Sequence, residues 1–253
     1  MKDKKKINFA AIITVRTSSS RLPKKCHQKL FKDLSLIEIV IDRAKKINAK
    51  IIVATSTDKS DDNIERIALK KKVNVFRGSL LNKIHRWNAC FKKYKLDYAM
   101  LIDADDPSFC FNLMNKALDK LSKSKADIIC GSRNLLPGLL TYGMSKKGIK
   151  KLSLTAKNNQ TDTDVIDTFL QKAKLKTSKI YPKKKNEIKD NIRLTVDYLE
   201  DLIFYRKLYK KISYLENSLK IVSIIKKFKL KKINWFRNKD FKINQQNFNK
   251  RQT

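Results

Sequence analysis

Histidine and cysteine are scarce in this chain, and their scarcity argues against several kinds of site. The 253 residues include 2 histidines and 4 cysteines, and no two cysteines have the C-x-x-C spacing. The sequence therefore does not predict a zinc site, a redox dithiol or a Ser-His-Asp triad. Four separated cysteines are typical of free thiols in a reducing compartment, so we expect a cytoplasmic protein.

Acidic residues are also few relative to basic ones. Lysine and arginine number 59 against 24 aspartates and glutamates, which gives a formal net charge of +35. An excess this large is typical of proteins that bind nucleic acid or anionic membranes. Here, however, the lysines are spread along the whole chain, as a low-GC coding bias would spread them, and no nucleic-acid-binding motif accompanies them. We therefore expect no specific nucleic-acid partner.

Long apolar runs are missing as well. The run at residues 9–15 follows a basic N-terminal extension, residues 1–6, and superficially resembles a signal peptide. It ends at Arg16 instead of a small-residue cleavage site, and no run approaches the roughly 18 apolar residues of a membrane helix. We expect no membrane span.

The residues that are present alternate between short β-branched runs and longer amphipathic segments. This alternation predicts an α/β fold with a mostly parallel sheet. Because no repeat or flexible linker interrupts it, we expect one domain over residues 1–253. The predicted strands are 9–15, 51–55, 73–76, 98–102, 127–130, 139–144 and 191–196. The predicted helices are 35–47, one opening at Ser60, 81–94, 111–121, 199–212 and 219–228. The polar tail, residues 235–253, has no clear period and is either frayed or docked by its aromatic residues.

Three polar clusters follow predicted strands, at residues 16–25, 55–62 and 103–106. Strand ends of a parallel sheet meet at one edge, where such folds bind ligands. The first cluster combines four hydroxyls with four cationic side chains, which suits a polyphosphate. The alternative interpretation of this cluster is an ordinary solvated basic loop.

Residues 12–30, IITVRTSSSRLPKKCHQKL, resemble the opening motif of the cytidylyltransferases that make CMP-activated acidic sugars, the acylneuraminate and 3-deoxy-manno-octulosonate enzymes. The resemblance is closest to the branch that acts in spore-coat polysaccharide biosynthesis. It covers roughly residues 9–234, because further motifs match in order and spacing. These are VATST (53–57), VFRGS (75–79), DDP (105–107), RLTVD (193–197), EDL (200–202) and KIN (232–234).

The resemblance implies a three-layer α/β/α sandwich of the nucleotide-diphospho-sugar-transferase type. It also implies that a sugar hydroxyl attacks the α-phosphate of CTP and expels pyrophosphate with the help of Mg²⁺. The partners would be CTP and an acidic or surface-glycan sugar, in surface polysaccharide or glycoconjugate biosynthesis. A homodimer stays open.

The site residues implied by the resemblance fall into three groups. The triphosphate would be gripped by Arg16, Arg21 and Lys25, with a hydrogen bond from the Ser19 hydroxyl; forked guanidinium groups suit oxyanions. A shared Mg²⁺ would be held by Asp105 and Asp197, and these two aspartates with Arg16 and Lys25 form the catalytic set. The residues near the base and ribose would be Thr55, Ser56 and Arg77.

Each of these assignments has a structural alternative. Lys25 is one lysine among many, and Asp105 precedes a proline as turn aspartates often do. Asp197 stands where it would cap the helix that follows. The chain also departs from the family pattern: Lys24 replaces the usual glycine, and segments 80–86, 138–142 and 161–167 lack family residues at the expected sugar site.

Two other functions remain open from the residues alone. The D-x-D sequence Asp103-Ala104-Asp105 after a predicted strand is also typical of metal-dependent glycosyltransferases that use nucleotide sugars. Those enzymes bind a nucleotide diphosphate and do not need a loop that grips a triphosphate. The third interpretation is a non-catalytic basic protein that binds nucleotides or nucleic acid.

Overall fold

The computed structural model describes residues 7–19, 21–156 and 158–250. Its centre is a seven-stranded sheet, and a two-stranded hairpin lies beside it. The strands are β1 (Phe9–Thr14), β2 (Lys29–Phe31), β3 (Leu34–Ser35), β4 (Lys50–Ser56), β5 (Asn74–Gly78), β6 (Tyr98–Asp103), β7 (Ile128–Gly131), β8 (Tyr142–Ser145) and β9 (Thr177–Ile180). The hairpin pairs β2 with β3, and the order in the large sheet is β5-β4-β1-β6-β8-β7-β9.

The half of this sheet that carries the site is entirely parallel. Strand β1 pairs with β4 on one side and β6 on the other, and β4 pairs with β5. Strand β8 runs antiparallel to both β6 and β7, while β7 and β9 are parallel. The mostly parallel sheet predicted from the sequence is therefore confirmed, and its parallel strands deliver their carboxyl ends to one edge.

Helices cover both faces of the sheet. They are α1 (Leu36–Ala44), α2 (Asp62–Lys70), α3 (Lys83–Lys93), α4 (Phe111–Lys123), α5 (Lys146–Ser153), α6 (Asp167–Ala173), α7 (Leu199–Tyr209), α8 (Ser218–Lys227) and α9 (Arg237–Lys250). One apolar core includes α1, α2, α4, α7 and α8, and a second includes α3, α5 and α6. Alternate residues of β1 point to the two cores, as the period of a strand requires. The result is the three-layer α/β/α sandwich that the sequence predicted.

The start of α1 shows how closely local sequence signals fix an element. Ser35 is the N-cap, and its backbone N–H donates to the Glu38 carboxylate at 2.9 Å in a capping box. The predicted start is confirmed. The helix ends at Ala44 instead of reaching Ile47, because residues 45–47 continue as a tight turn toward β4.

The second half departs further from the prediction. The strand predicted at residues 191–196 is wrong: the segment is irregular, its backbone bonded to Asp105 and Asn234. The short strand predicted at 139–144 forms as β8, which starts three residues later and ends one residue later. Helices α5 and α6 and strand β9 were not predicted. The described part of the tail is docked, since Arg237 and Asn244 of α9 contact Glu200 and Tyr198. The predicted N-terminal extension, residues 1–6, and residues 251–253 lie outside the described residues.

Across residues 7–19, 21–156 and 158–250, no helix has both the length and the apolar character needed to cross a membrane. All four cysteines are free, as predicted.

Glycine is scarce in this chain, and a lysine stands at the left-handed position after α3 where glycine is favoured. The residue after the cap of α3, Lys95, has φ +50°, and the N–H of Leu96 bonds back to the carbonyl of Phe91 at 3.0 Å. This is a Schellman motif, whose left-handed position favours glycine. We expect Lys95→Gly to raise the free energy of unfolding by about 0.5–1 kcal/mol, because the left-handed cost to an L-residue slightly exceeds the chain entropy that glycine adds.

The matched control is Lys92→Gly, three residues earlier and inside α3, where the same exchange should lower the free energy of unfolding by about 1 kcal/mol. Urea denaturation of both variants gives the comparison. Equal destabilisation by the two exchanges would contradict the role assigned to the left-handed conformation.

Candidate active site

The loop after β1 is tied to the neighbouring strand by one buried carboxylate. Asp61 is fully buried and accepts hydrogen bonds from the backbone N–H of Thr17 at 2.7 Å and from the hydroxyl of Thr55 at 2.9 Å. It also accepts from the N–H and hydroxyl of Ser56 at 3.1 and 2.5 Å. A buried carboxylate needs such partners, so it fixes the loop against the end of β4. The predicted meeting of the first two polar clusters at one edge is confirmed.

The residues predicted to contact base and ribose already have protein partners. The hydroxyls of Thr55 and Ser56 are buried and serve Asp61. Arg77 donates to the Ser56 carbonyl at 2.8 Å and forms ion pairs with Asp62 and Glu65. The structure does not bring these three side chains together with the lysine and aspartates described next, and their role in nucleotide binding stays a prediction.

The third polar cluster meets the loop through Lys25. Its Nζ lies 2.7 Å from Oδ2 of Asp105 and 2.9 Å from Oδ1 of Asp197. Because both oxygens contact one nitrogen, they are less than about 6 Å apart, although 92 residues separate them in sequence. The sequence predicted that Asp105 and Asp197 lie close together, facing the loop after β1, and the structure brings them together there.

Charge pairing sets the protonation of this group. Burial opposes the charged forms of Lys25 and Asp197, but the two carboxylates raise the pKa of Lys25 above its usual value. Lys25, Arg21 and Arg193 likewise hold the pKa of Asp197 below its usual range despite burial. The ion pair between Lys25 and Asp197 therefore persists across neutral pH.

Asp197 is held by a network at the start of α7. It is 1% exposed, and the buried Arg193 donates to its Oδ2 at 2.6 Å. Arg193 also pairs with Asp201 at 3.0 Å. The Asp201 carboxylate accepts the backbone N–H groups of Asp197 and Tyr198 at 2.8 and 3.0 Å, and the amide of Asn234 donates to it at 2.8 Å. Asp197 is therefore positioned by the capping interactions at the start of α7. The sequence predicted that Asp197 follows a strand, residues 191–196, and this prediction is wrong.

The two arginines of the loop differ in their surroundings. Arg21 is 30% exposed and contacts Oδ1 of Asp197 at 2.7 Å. Arg16 pairs with Asp164 at 3.1 Å and donates to the carbonyl of Leu80 at 3.4 Å. Ser19 lies half-buried in the same loop. Lys24, which replaces the family's glycine, has φ +52°, so the loop adopts the left-handed turn even without glycine.

The donor set suits a magnesium ion that is shared with a nucleotide. Within the part of the chain that the structure describes, no cluster of three or more histidine, cysteine or carboxylate side chains could hold a metal. Two carboxylates do converge on one cation position, now filled by the ammonium of Lys25. Mg²⁺ commonly binds through one or two carboxylates plus substrate phosphates and water. The residues present therefore fit Mg²⁺, provided that the substrate brings phosphate oxygens.

The first aspartate of the D-x-D sequence has a different environment from the second. Burial raises the pKa of Asp103 to about 6, an effect that Lys83 opposes and Asp105 increases. Burial also raises the pKa of Asp106 well above its usual value, and Asp105 adds to this. Only Asp105 of these three forms an ion pair with Lys25. A metal bridging Asp103 and Asp105 has less support here than one bridging Asp105 and Asp197.

Comparison with known proteins identifies the family of this chain. A family model described as Cytidylyltransferase matches residues 10–241. An uncharacterized protein of Methanocaldococcus jannaschii, MJ1063, is 30% identical over 208 residues, covering 81% of this chain and 84% of its own.

Two solved structures share the fold. A cytidylyltransferase from Leptospira borgpetersenii superposes with a TM-score of 0.80 at 21% identity, covering 89% of this chain and 97% of the other. A CMP:2-keto-3-deoxy-manno-octonic acid synthetase complexed with CTP superposes with a TM-score of 0.61 at 14% identity, covering 81% and 99%. At these identities the similarity establishes the architecture alone.

Proposed function

This chain belongs to the cytidylyltransferase family, a family of CTP-using nucleotidyltransferases, and we propose that it transfers CMP from CTP to a hydroxyl of an acidic or surface-glycan sugar. The observation that carries the proposal is the contact of Lys25 with both Asp105 and Asp197 beside the loop after β1. We further propose a cytoplasmic role in surface polysaccharide or glycoconjugate biosynthesis. The resemblance to the spore-coat branch supports this finer assignment.

In the proposed reaction the sugar hydroxyl oxygen bonds to the α-phosphorus of CTP and loses its proton, while the bond from that phosphorus to the bridging oxygen breaks and pyrophosphate leaves. Such transfers are catalysed mainly by positioning and charge stabilisation. Arg16, Arg21 and Lys25 supply three positive charges where about four negative charges arrive with the triphosphate. The bound Mg²⁺ would neutralise phosphate oxygens and orient the leaving group.

Asp105 and Asp197 would hold this ion from two sides. Arg193 and Asp201 would keep Asp197 oriented during the reaction, since both are buried and bonded to it or to its backbone. Buried, hydrogen-bonded neighbours of this kind commonly determine how well a metal ligand works. The chain's own residues thus provide triphosphate binding and ligand orientation.

The glycosyltransferase interpretation has less support. It relies on Asp103 and Asp105 as a metal pair, whereas the second contact of Lys25 is Asp197. The matching family model is that of cytidylyltransferases, and it covers residues 10–241, including both Asp105 and Asp197.

Nucleotide selectivity tests the proposal directly. We expect CTP with Mg²⁺ at about 100 times its Kd to stabilise the protein by about 2.7 kcal/mol through mass action. For a chain of this size that corresponds to a rise in Tm of about 5–10 °C. UTP is the matched control, because it carries the same triphosphate and ribose and differs in the pyrimidine. Equal shifts with CTP, UTP, ATP and GTP in a thermal denaturation series would contradict cytidylyl transfer.

A further inference from the structure

The C-terminal helix α9 places an aromatic ring against the active site. The ring centroid of Phe241 lies 4.8 Å from the guanidinium carbon of Arg193 and 5.4 Å from that of Arg21. Both distances are within the range of cation–π attraction. A single half-buried side chain of the tail therefore contacts two arginines that come from different parts of the chain.

Those two arginines hold the same carboxylate. Arg21 contacts Oδ1 of Asp197 at 2.7 Å, and Arg193 contacts Oδ2 at 2.6 Å. We propose that Phe241 is a positioning residue of the active site, which fixes Arg21 and Arg193 and through them the orientation of Asp197. The inference rests on the proposed function, because it assigns to Arg21 and Asp197 the roles given above.

Arg21 is the side chain that needs this support. It is 30% exposed, and its one described ion pair is formed by a single nitrogen. A long side chain held at one point keeps much of its rotamer freedom. Binding of the triphosphate would then have to order Arg21, and this entropy cost would reduce the affinity for the triphosphate. Arg193 needs the ring less, since it is 2% exposed and contacts two carboxylates. We therefore expect the loss of the ring to act mainly through Arg21.

Helix α9 is anchored in a way that keeps the ring in place. Arg237 donates to both carboxylate oxygens of Glu200 at 2.8 and 3.1 Å, and its guanidinium lies 5.0 Å from the ring centroid of Tyr198. The amide of Asn244 donates to the Tyr198 hydroxyl at 3.0 Å. Tyr198 and Glu200 lie one and three residues after Asp197. Helix α9 is therefore attached to the same turn that carries Asp197, the proposed metal ligand.

The experiment compares three variants of the full chain with the wild type. Phe241→Ala removes the ring, Phe241→Tyr keeps its face, and Ile243→Ala is the matched control, an exposed apolar residue on the same helix. We expect Phe241→Ala to weaken CTP binding about 3- to 30-fold, the range of a cation–π contact from exposed to desolvated. The KM for CTP should rise more than kcat falls. Phe241→Tyr and Ile243→Ala should stay within twofold of the wild type.

A second measurement does not depend on CTP. The Nε–H proton of a guanidinium stacked on a phenyl face is shifted upfield by the ring current, and NMR of the nucleotide-free protein reports it for Arg21 and Arg193. The Arg21 shift should vanish in Phe241→Ala and remain in Phe241→Tyr. The Arg193 shift should only decrease in Phe241→Ala, because that guanidinium also lies 5.3 Å from the ring centroid of Tyr198. Arg237→Gln loosens the anchor of α9 and should reduce the shifts partially, which provides a second variant if Phe241→Ala folds poorly.

Unshifted arginine signals in the wild type, or CTP binding in Phe241→Ala equal to the wild type, would overturn the inference. If the wild type binds no CTP, the proposed function fails, while the NMR series still decides whether Phe241 orders the two arginines. Equal weakening by Phe241→Ala and Ile243→Ala would also overturn it, because it would indicate general loosening of the helix.

Discussion

Asp105→Asn and Asp197→Asn should each lower the kcat for pyrophosphate release by about 10²–10⁴-fold, because each removes one negative ligand worth several kcal/mol of charge stabilisation. Both carboxylates contact the same cation, yet they come from distant parts of the chain. The ion pair with the buried Arg193 requires an acidic residue at Asp197 alone, whereas a shared divalent ion requires one at both positions. Continuous measurement of pyrophosphate from CTP and a panel of acidic sugars gives the comparison.

The two variants should differ in stability, and this difference is part of the test. Asp105 is 25% exposed and its described ion pair is with Lys25, so Asp105→Asn should cost less than about 1 kcal/mol. Asp197 is 1% exposed and pairs with the buried Arg193, so Asp197→Asn should cost about 3 kcal/mol or more. Activity losses that followed stability instead of being similar for both would contradict a shared metal.

Asp190→Asn is the matched control. Asp190 also pairs with two lysines, Lys226 and Lys231, and both of these lie outside the loop after β1. Its replacement should leave pyrophosphate release within twofold of the wild type. A large loss in Asp190→Asn would mean that activity depends on charge in general and not on the Asp105–Asp197 pair.

The first half of the fold was predictable because its signals are local. The four parallel strands β1, β4, β5 and β6 appear in sequence as β-branched runs, and polar clusters follow three of them. The structure has these strands within two residues of the predicted bounds. The capping residue Ser35 marks the start of α1 correctly. Because parallel strands deliver their ends to one edge, the proximity of Lys25 to Asp105 also followed from topology.

The second half was less predictable because its positions depend on contacts that are distant in sequence. Residues 191–196 look like a strand, with alternating apolar residues, but tertiary packing leaves them irregular. Their polar groups bond to Asp201 and Asn234 instead of to a neighbouring strand. The family motifs RLTVD and EDL contain Arg193 and Asp201. They indicated the family of this chain, but they did not indicate that Asp201 pairs with Arg193 and caps the start of α7.

Two important residues had weak signals or none. Asp61 was visible only as an acidic residue near the start of a helix, and its role in binding the loop after β1 required the structure. Phe241 lies in a segment without period, 220 residues from Arg21. Sequence patterns report faces of helices and strands, but they do not report which ring meets which cation across the molecule.

Lys25→Met should have opposite effects on catalysis and on metal binding. The variant loses a positive charge that would contact the triphosphate, so kcat/KM for CTP should fall at least about 100-fold, as for other groups that stabilise a transferring phosphoryl. It also empties the position between Asp105 and Asp197, which the ammonium fills at 2.7 and 2.9 Å. Two carboxylates without their cation attract a divalent ion more strongly.

We therefore expect Lys25→Met, without nucleotide, to bind Mn²⁺ at least about tenfold more tightly than the wild type does; Mn²⁺ serves as a probe for Mg²⁺. A tenfold lower Kd corresponds to about 1.4 kcal/mol of binding free energy. This is a modest change for the removal of a unit charge at this distance. Paramagnetic resonance of free Mn²⁺ measures this without any catalysis. Lys29→Met is the control, since Lys29 is exposed and pairs only locally with Asp33. Its Mn²⁺ affinity and kcat/KM should match the wild type.

The result distinguishes two roles for the lysine. If Lys25 only binds phosphate, its loss weakens CTP binding and leaves Mn²⁺ affinity unchanged. If it also neutralises the carboxylates until substrate arrives, the metal affinity rises as the activity falls. Because Asp105 and Asp197 keep the pKa of Lys25 above its usual value, the lysine stays charged at every pH of such an assay. A Mn²⁺ affinity in Lys25→Met no higher than in Lys29→Met would contradict the second role, in which Lys25 neutralises the two carboxylates until the substrate arrives.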